Sequence, residues 1–189
     1  LHVTAWGIIR GVPGPWRAEP HHHHRQAAQP IPQDATVTTI VATDIDGTLT
    51  GDRPSLDRLR ARLTRGRVAG SLRLILSTGR RLEQVLAGIT TEGLPEPDAV
   101  VCQVGTEIYL PPLDRDARPM AAWRERLLAD YSRAEAVAFL SGIEGLVMQP
   151  DECNTELKVS CFLDQCPDPE RAVAAIRRRI APHGARYQA

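Results

Sequence analysis

From Val37 onward, short apolar runs alternate with stretches whose apolar residues recur at helical spacing. This rhythm predicts strand-helix-strand units around a mostly parallel sheet. The run VTTIVAT, residues 37–43, predicts a first strand. Ser55 offers an N-cap for the helix that follows, with Leu56, Leu59 and Leu63 on one stripe. LRLILS, 72–77, predicts a second strand that runs into STGR. Leu82, Val85, Leu86 and Ile89 then repeat at i, i+3, i+4 and i+7, the pattern of a helix packed on the sheet. DAVVCQ, 98–103, predicts the third strand.

After VGTEIYLPP the rhythm changes. Residues 119–141 read as helical around Trp123, Leu127, Leu128 and Tyr131. GLVMQ (145–149) and ELKVSCFLD (156–164) read as strands, the second with Leu157, Val159, Cys161 and Leu163 in alternation. Asp168 followed by Pro169 marks a helix start, and Arg177, Arg178 and Arg179 complement the negative pole at the helix end. A new strand is expected to begin at ARYQ, 185–188. Residues 37–110 are thus expected to build a larger sheet and residues 111–189 a small α/β unit beside it. Residues 1–36 carry five prolines and the tract His21 to His24 without a sustained period, and are expected to be a tail or linker outside the core. The histidine tract reads as an exposed, solvated stretch rather than a metal site.

Composition narrows the partners. The 189 residues suffice for one ordinary domain, or one with a small insertion. Acidic and basic residues number 23 each, so no global field draws the chain to nucleic acid or an anionic membrane. No apolar run approaches the roughly 20 residues that span a bilayer, and a cytoplasmic location is the default expectation. Cys102, Cys153, Cys161 and Cys166 form no C-x-x-C pair and are expected to be free thiols in a reducing compartment.

The chemistry concentrates at the end of the first strand, in DIDGTLT. Residues i and i+2 of an extended segment point the same way, so Asp44 and Asp46 can address one bound group while Ile45 turns into the fold. Gly47 permits the sharp turn that follows. Paired carboxylates at the carboxyl end of a parallel strand repel an anionic substrate unless a hard cation lies between them, which implies Mg2+. With the metal present, one carboxylate can attack phosphorus and the other can shuttle a proton. An EF-hand loop fits poorly, because it needs glycine at its sixth position and Gly47 falls at the fourth. The D-x-D of a nucleotide-sugar glycosyltransferase does not predict STGR two elements later.

DIDGTLT after an apolar strand resembles the first motif of the haloacid dehalogenase superfamily, and STGR (77–80) resembles the second. The resemblance implies that Asp44 is the nucleophile and a metal ligand. Asp46 is then the general acid and base, its backbone carbonyl also on the metal. Thr78 would bind the phosphoryl oxygens, assisted by the turn at Gly79 and Arg80. The order STGRRLEQVL, LPEPDAVVCQVGTEIY, a tryptophan-bearing helix (Trp123), Gln149 and then KVS at 158–160 is similar to the sucrose-phosphate phosphatase family. That family implies a Rossmann-like core with an inserted α/β cap, a Mg2+ cofactor and a sugar-phosphate substrate, with Glu107, Gln149 and Lys158 as further substrate-binding candidates.

The family's third motif, a lysine, and its fourth, an acidic G-D-S-G-N-D loop, have no counterpart after Asp168. The expectation is therefore an incomplete core and a fragment of a longer reading frame with impaired activity. Other readings stay open at this level. One is a non-catalytic sugar-phosphate-binding module fused to or associated with a sucrose-phosphate synthase. Others are a mannosyl-3-phosphoglycerate or a trehalose-phosphate phosphatase, since substrate choice lies in the cap.

Overall fold

Leu74 and Leu76 have no exposed surface, and they anchor the sheet on which the first half of the chain is organised. The computed structural model describes residues 2–5 and 39–187. Its strands and helices, in chain order, are β1 (His2–Ala5), β2 (Thr39–Thr43), α1 (Arg53–Val68), β3 (Leu72–Ser77), α2 (Leu82–Thr91), β4 (Ala99–Cys102), β5 (Glu107–Tyr109), α3 (Ala121–Leu128), α4 (Arg133–Leu140), β6 (Val147–Met148), β7 (Val159–Phe162) and α5 (Pro169–Ile180).

The first sheet has the order β2-β3-β4-β5. β2, β3 and β4 run parallel, with Thr43 opposite Leu76 and Ser77 opposite Val101, and β5 folds back antiparallel with Glu107 opposite Cys102. Parallel neighbours need a helical crossover, and α1 and α2 supply the two. Leu56 and Leu63 of α1 and Leu82 and Val85 of α2 are buried in the same cluster as Leu74, Leu76, Ile45 and Val100. Among the described residues β2 is an edge strand, and its Ile40 is exposed.

Two local expectations are corrected here. Ser55 is not the cap of α1: the carboxylate of Asp52 accepts the Ser55 amide at 2.9 Å, and Pro54 occupies the first turn. Aspartate caps at least as well as serine, and proline tolerates that turn because its missing amide is not needed there. Leu59, expected on the apolar stripe, is 39% exposed, because the sheet covers only the face of α1 that carries Leu56 and Leu63.

The second sheet, β1-β7-β6, is antiparallel throughout. Its central strand β7 is buried on both faces: Val159, Ser160 and Cys161 are each at most 2% exposed. The helical stretch expected over 119–141 is two helices. Ser132 accepts the Glu135 amide at 3.4 Å and starts α4, and the break lets Tyr131 turn inward. Asp168 caps α5 by accepting the Arg171 amide at 2.9 Å, as the Asp-Pro pair predicts.

The strand expected at 185–188 is absent among the described residues. Residues 181–186 form a 3-10 turn, and Tyr187 drops into the core between Tyr131 and Phe139, with ring centroids 5.4 and 5.0 Å away. Its hydroxyl meets the Ser132 amide and the Glu135 carboxylate, so the ring's polar end is satisfied when buried.

Part of the segment expected to stand apart does not: His2–Ala5 pair antiparallel with β7, from His2 opposite Phe162 to Ala5 opposite Val159. The pairing covers main-chain groups of β7 that β6 leaves open, which an edge requires. The histidine tract and residues 37 and 38 of the first predicted strand lie outside the described residues. All four cysteines are free thiols; Cys102, Cys161 and Cys166 are buried and Cys153 half-buried. Burial, reinforced by Glu107 and Glu83, pushes the Cys102 thiol up to about 12. Among the described residues no helix is long and apolar enough to cross a membrane.

Candidate functional site

β2 ends at Thr43, and the chain then winds around one carbonyl. The Ile45 oxygen accepts the amides of Leu49 at 2.9 Å and Thr50 at 3.1 Å, and the Thr50 hydroxyl at 3.2 Å. Gly47 makes this winding feasible at φ 75°, a left-handed value that costs glycine nothing. Ile45 is fully buried, while Asp44 and Asp46 are exposed on either side of it, as the alternation implies. Since Thr43 is level with Leu76, Asp44 and the Ser77-Thr78 pair follow neighbouring positions of two adjacent parallel strands.

Thr78 is 4% exposed. Its amide donates to the Val101 carbonyl at 2.8 Å, its carbonyl accepts the Val104 amide at 3.0 Å, and its hydroxyl oxygen accepts the Arg80 amide at 3.1 Å. The hydroxyl proton is left for an acceptor that enters from outside. Thr78 does not cap α2; Arg81 holds that position, and its amide donates to the Gln84 side chain at 2.9 Å. Gly79 is exposed beside Val104.

Arg80 joins the two loops. Its Nε and Nη2 donate to the Asp46 carboxylate at 3.0 and 2.6 Å, and its Nη1 and Nη2 donate to Glu92 at 2.5 and 3.0 Å. The Arg80 hydrogen bond, then its charge, holds the Asp46 carboxyl below its ordinary range despite partial desolvation. The same bonds lower Glu92 and raise Arg80 further. Glu92, the C-terminal cap of α2, carried no motif signal. A carboxylate at a helix end becomes meaningful only once Arg80 is seen to fold back on it.

Two of the other predicted residues, Lys158 and Glu107, are distant from this loop in sequence but near each other. Lys158 precedes β7, is 6% exposed, and donates from Nζ to Gln103 Oε1 at 2.6 Å. Burial pushes its pKa down, with Glu107 acting in the opposite sense and Arg81 in the same one. Glu107, at the start of β5, is half-buried and accepts the Tyr109 hydroxyl at 2.8 Å. Gln149 is tied by its backbone: its amide donates to the Ser160 carbonyl at 2.9 Å and its carbonyl accepts Asn154 Nδ2 at 2.8 Å. The structure therefore brings Asp44, Asp46, Thr78 and Arg80 into one group and Glu107 and Lys158 into a second. Gln103, which sequence reasoning missed, stands between them.

Among the described residues no three His, Cys, Asp or Glu side chains gather as a metal cage. The donor set nonetheless suits Mg2+, which is usually held by one or two carboxylates and keeps several waters. Among the described residues the Asp44 carboxylate accepts only the Thr48 hydroxyl, at 3.4 Å, and it is exposed, so its oxygens are open to a hard cation.

A parallel sheet with an acidic pair at one strand end and a Thr-Gly-Arg turn at the next defines a hydrolase fold of the haloacid dehalogenase class. A haloacid dehalogenase-like hydrolase of Bacillus subtilis shares this fold, with a TM-score of 0.51 and 17% identity over 77% of this chain and 56% of that one. More narrowly, residues 37–187 match the sucrose-6F-phosphate phosphohydrolase family, and the chain belongs to it. The sucrose-phosphatase of Synechocystis sp. PCC6803, solved in complex with sucrose and phosphate, superposes with a TM-score of 0.64 and 26% identity, covering 75% of this chain and 56% of that one. The mannosylfructose-phosphate phosphatase of Agrobacterium fabrum is 27% identical over 126 residues, 66% of this chain and 49% of the relative. The chain thus spans about half the length of these relatives.

Proposed function

We propose that this chain carries the phosphoryl-transfer site of a Mg2+-dependent sugar-phosphate phosphatase acting on sucrose 6-phosphate or a close relative. The observation that carries the reading is the meeting of the two motif loops, made by the Arg80 fork on Asp46 beside the open carboxylate of Asp44. Asp44 attacks phosphorus, the ester P–O bond breaks, and the departing sugar oxygen takes a proton from Asp46. Water then attacks the aspartyl-phosphate, gives a proton back to Asp46, and releases inorganic phosphate with Asp44 restored.

The Thr78 hydroxyl donates to a phosphoryl oxygen, where charge grows in the transition state. Arg80 has a double task. While its fork rests on Asp46 that carboxyl is held ionised and cannot donate a proton. An arriving phosphoryl dianion competes for the fork. Once the fork moves onto the phosphoryl oxygens, Asp46 loses its cationic partner and faces the dianion's like charge, which pushes the carboxyl up and favours the protonated form that donates. Glu92 keeps the other side of the guanidinium in place during that exchange. Asp44 and Asp46 would hold Mg2+, which when bound neutralises phosphoryl charge. Lys158, Glu107 and Gln149 are assigned to the sugar.

Asp44→Asn keeps the shape of the nucleophile and removes its charge. The expected result is phosphate release from sucrose 6-phosphate falling to background in the presence of Mg2+, with inorganic phosphate still bound in calorimetry. Turnover retained in Asp44→Asn would refute the assignment.

A further inference from the structure

Two consecutive residues after β4 hold left-handed backbone although neither is glycine: Gln103 at φ 52° and Val104 at φ 55°, ψ 36°. For a β-branched residue this is an outlier, and such a position persists only where its surroundings over-determine it. Four contacts do so here. The Gln103 amide donates to the Arg80 carbonyl at 3.1 Å, and the Val104 amide donates to the Thr78 carbonyl at 3.0 Å. Trp123 Nε1 donates to the Gly105 carbonyl at 2.9 Å. The Gln103 side chain, 3% exposed, accepts Lys158 Nζ at 2.6 Å. The turn therefore touches the Thr78 loop with its backbone and the strand end at Lys158 with a side chain.

An amide oxygen is a particular choice of partner for a buried ammonium. It fixes the direction of one N–H without cancelling the charge, and leaves the other two N–H groups for a ligand. Among the described residues Gln103 is the one hydrogen-bond acceptor of Lys158 Nζ. Strain held in a turn with such a contact at one end and the Thr78 loop at the other suits an element that changes with occupancy rather than an inert connection.

We propose that Gln103 is a positioning residue. It aims the Lys158 ammonium and transmits its engagement by a sugar hydroxyl, through the Gln103-Val104 turn, to the loop where Thr78 and Arg80 take phosphate. This rests on the phosphatase reading above, but the mechanical link can be tested without any ligand.

Amide exchange at Val104 is the ligand-free measurement. Lys158→Met lies far from Val104 in sequence, yet it is expected to speed exchange there about tenfold, the effect of losing one hydrogen bond to a charged group. Gln103→Leu should do the same, and the double variant no more, since both remove one interaction. Gln103→Glu keeps the acceptor and should restore protection, which separates positioning from general loosening of the fold.

The second measurement is calorimetry with sucrose and inorganic phosphate on the whole chain. In the unaltered protein sucrose is expected to tighten phosphate binding about fivefold or more, a coupling between two sites. In Gln103→Leu sucrose should no longer improve phosphate binding. Unchanged Val104 exchange in Lys158→Met, or coupling that survives in Gln103→Leu, overturns the proposal. Failure of the unaltered chain to bind either ligand would instead refute the phosphatase reading, and the exchange result would still decide the link.

Discussion

Asp98 sets the level at which β3 and β4 deliver their ends to the site, and its removal has a calculable cost. Its carboxylate accepts the Leu74 amide at 2.8 Å and Arg67 Nε at 2.9 Å, with Arg73 Nη1 at 3.6 Å, and its own amide donates to the Leu74 carbonyl at 2.7 Å. In Asp98→Ala the Leu74 amide, on a residue with no exposed surface, is left unpaired, which costs about 1–3 kcal/mol. The pair with Arg67, about a quarter exposed, adds on the order of 1 kcal/mol after solvent screening. A loss of about 2–4 kcal/mol moves the urea midpoint down by about 1–2 M for a slope near 2 kcal/mol/M. Asp98→Asn keeps an acceptor for Leu74 and should lose only about 1 kcal/mol.

The pH dependence gives a second reading of the same contacts. Desolvation pushes the Asp98 carboxyl up, but the Leu74 amide and the Arg67 and Arg73 guanidiniums outweigh it, and the net shift is downward. A folded pKa below the unfolded value, about 3.9, means that the stabilisation is fully present above that value. It disappears as pH falls through the lower folded value. Urea titrations of the unaltered chain and both variants at neutral pH and in acid test this. An Asp98→Ala midpoint equal to the unaltered one, or a gap that widens in acid, would refute the reasoning.

Gly88 lies where α2 passes under the Arg80-Glu92 pair. A Cβ there would sit 2.7 Å from Leu94 Cδ1, 3.0 Å from Glu92 Oε1 and 3.1 Å from Arg80 Nη1. Alanine gains about 1 kcal/mol of helix propensity but loses about 1–3 kcal/mol to overpacking. Gly88→Ala should therefore lower the melting temperature; a rise would show that the pair relaxes freely. Asp168→Ala removes the cap of α5 and should cost about 1 kcal/mol in urea denaturation, while Asp168→Ser should recover most of it.

Arg80 changes how the site is understood. A reading from sequence assigns it to substrate, whereas the fold engages it with Asp46 and Glu92, 17% exposed. The two descriptions meet if the guanidinium guards the acid until a phosphoryl group replaces one of its anions. Neither Asp46 nor Arg80 then has a fixed role apart from the other.

Local order in the chain was sufficient to determine β3 to the residue, the start of α5 at Asp168-Pro169, and the outward pair Asp44 and Asp46 around a buried Ile45. Each depends on period, capping or turn chemistry within a few neighbours. Tertiary structure alone decided the rest. The engagement of Arg80 with Glu92, the Lys158-Gln103 contact across 55 positions, the left-handed turn at Gln103 and Val104, and the insertion of Tyr187 in place of a strand all depend on partners distant in sequence. So does the addition of His2–Ala5 to β7. Such contacts form only where packing brings two segments together and desolvates them, and no periodicity in either segment encodes the distance to the other.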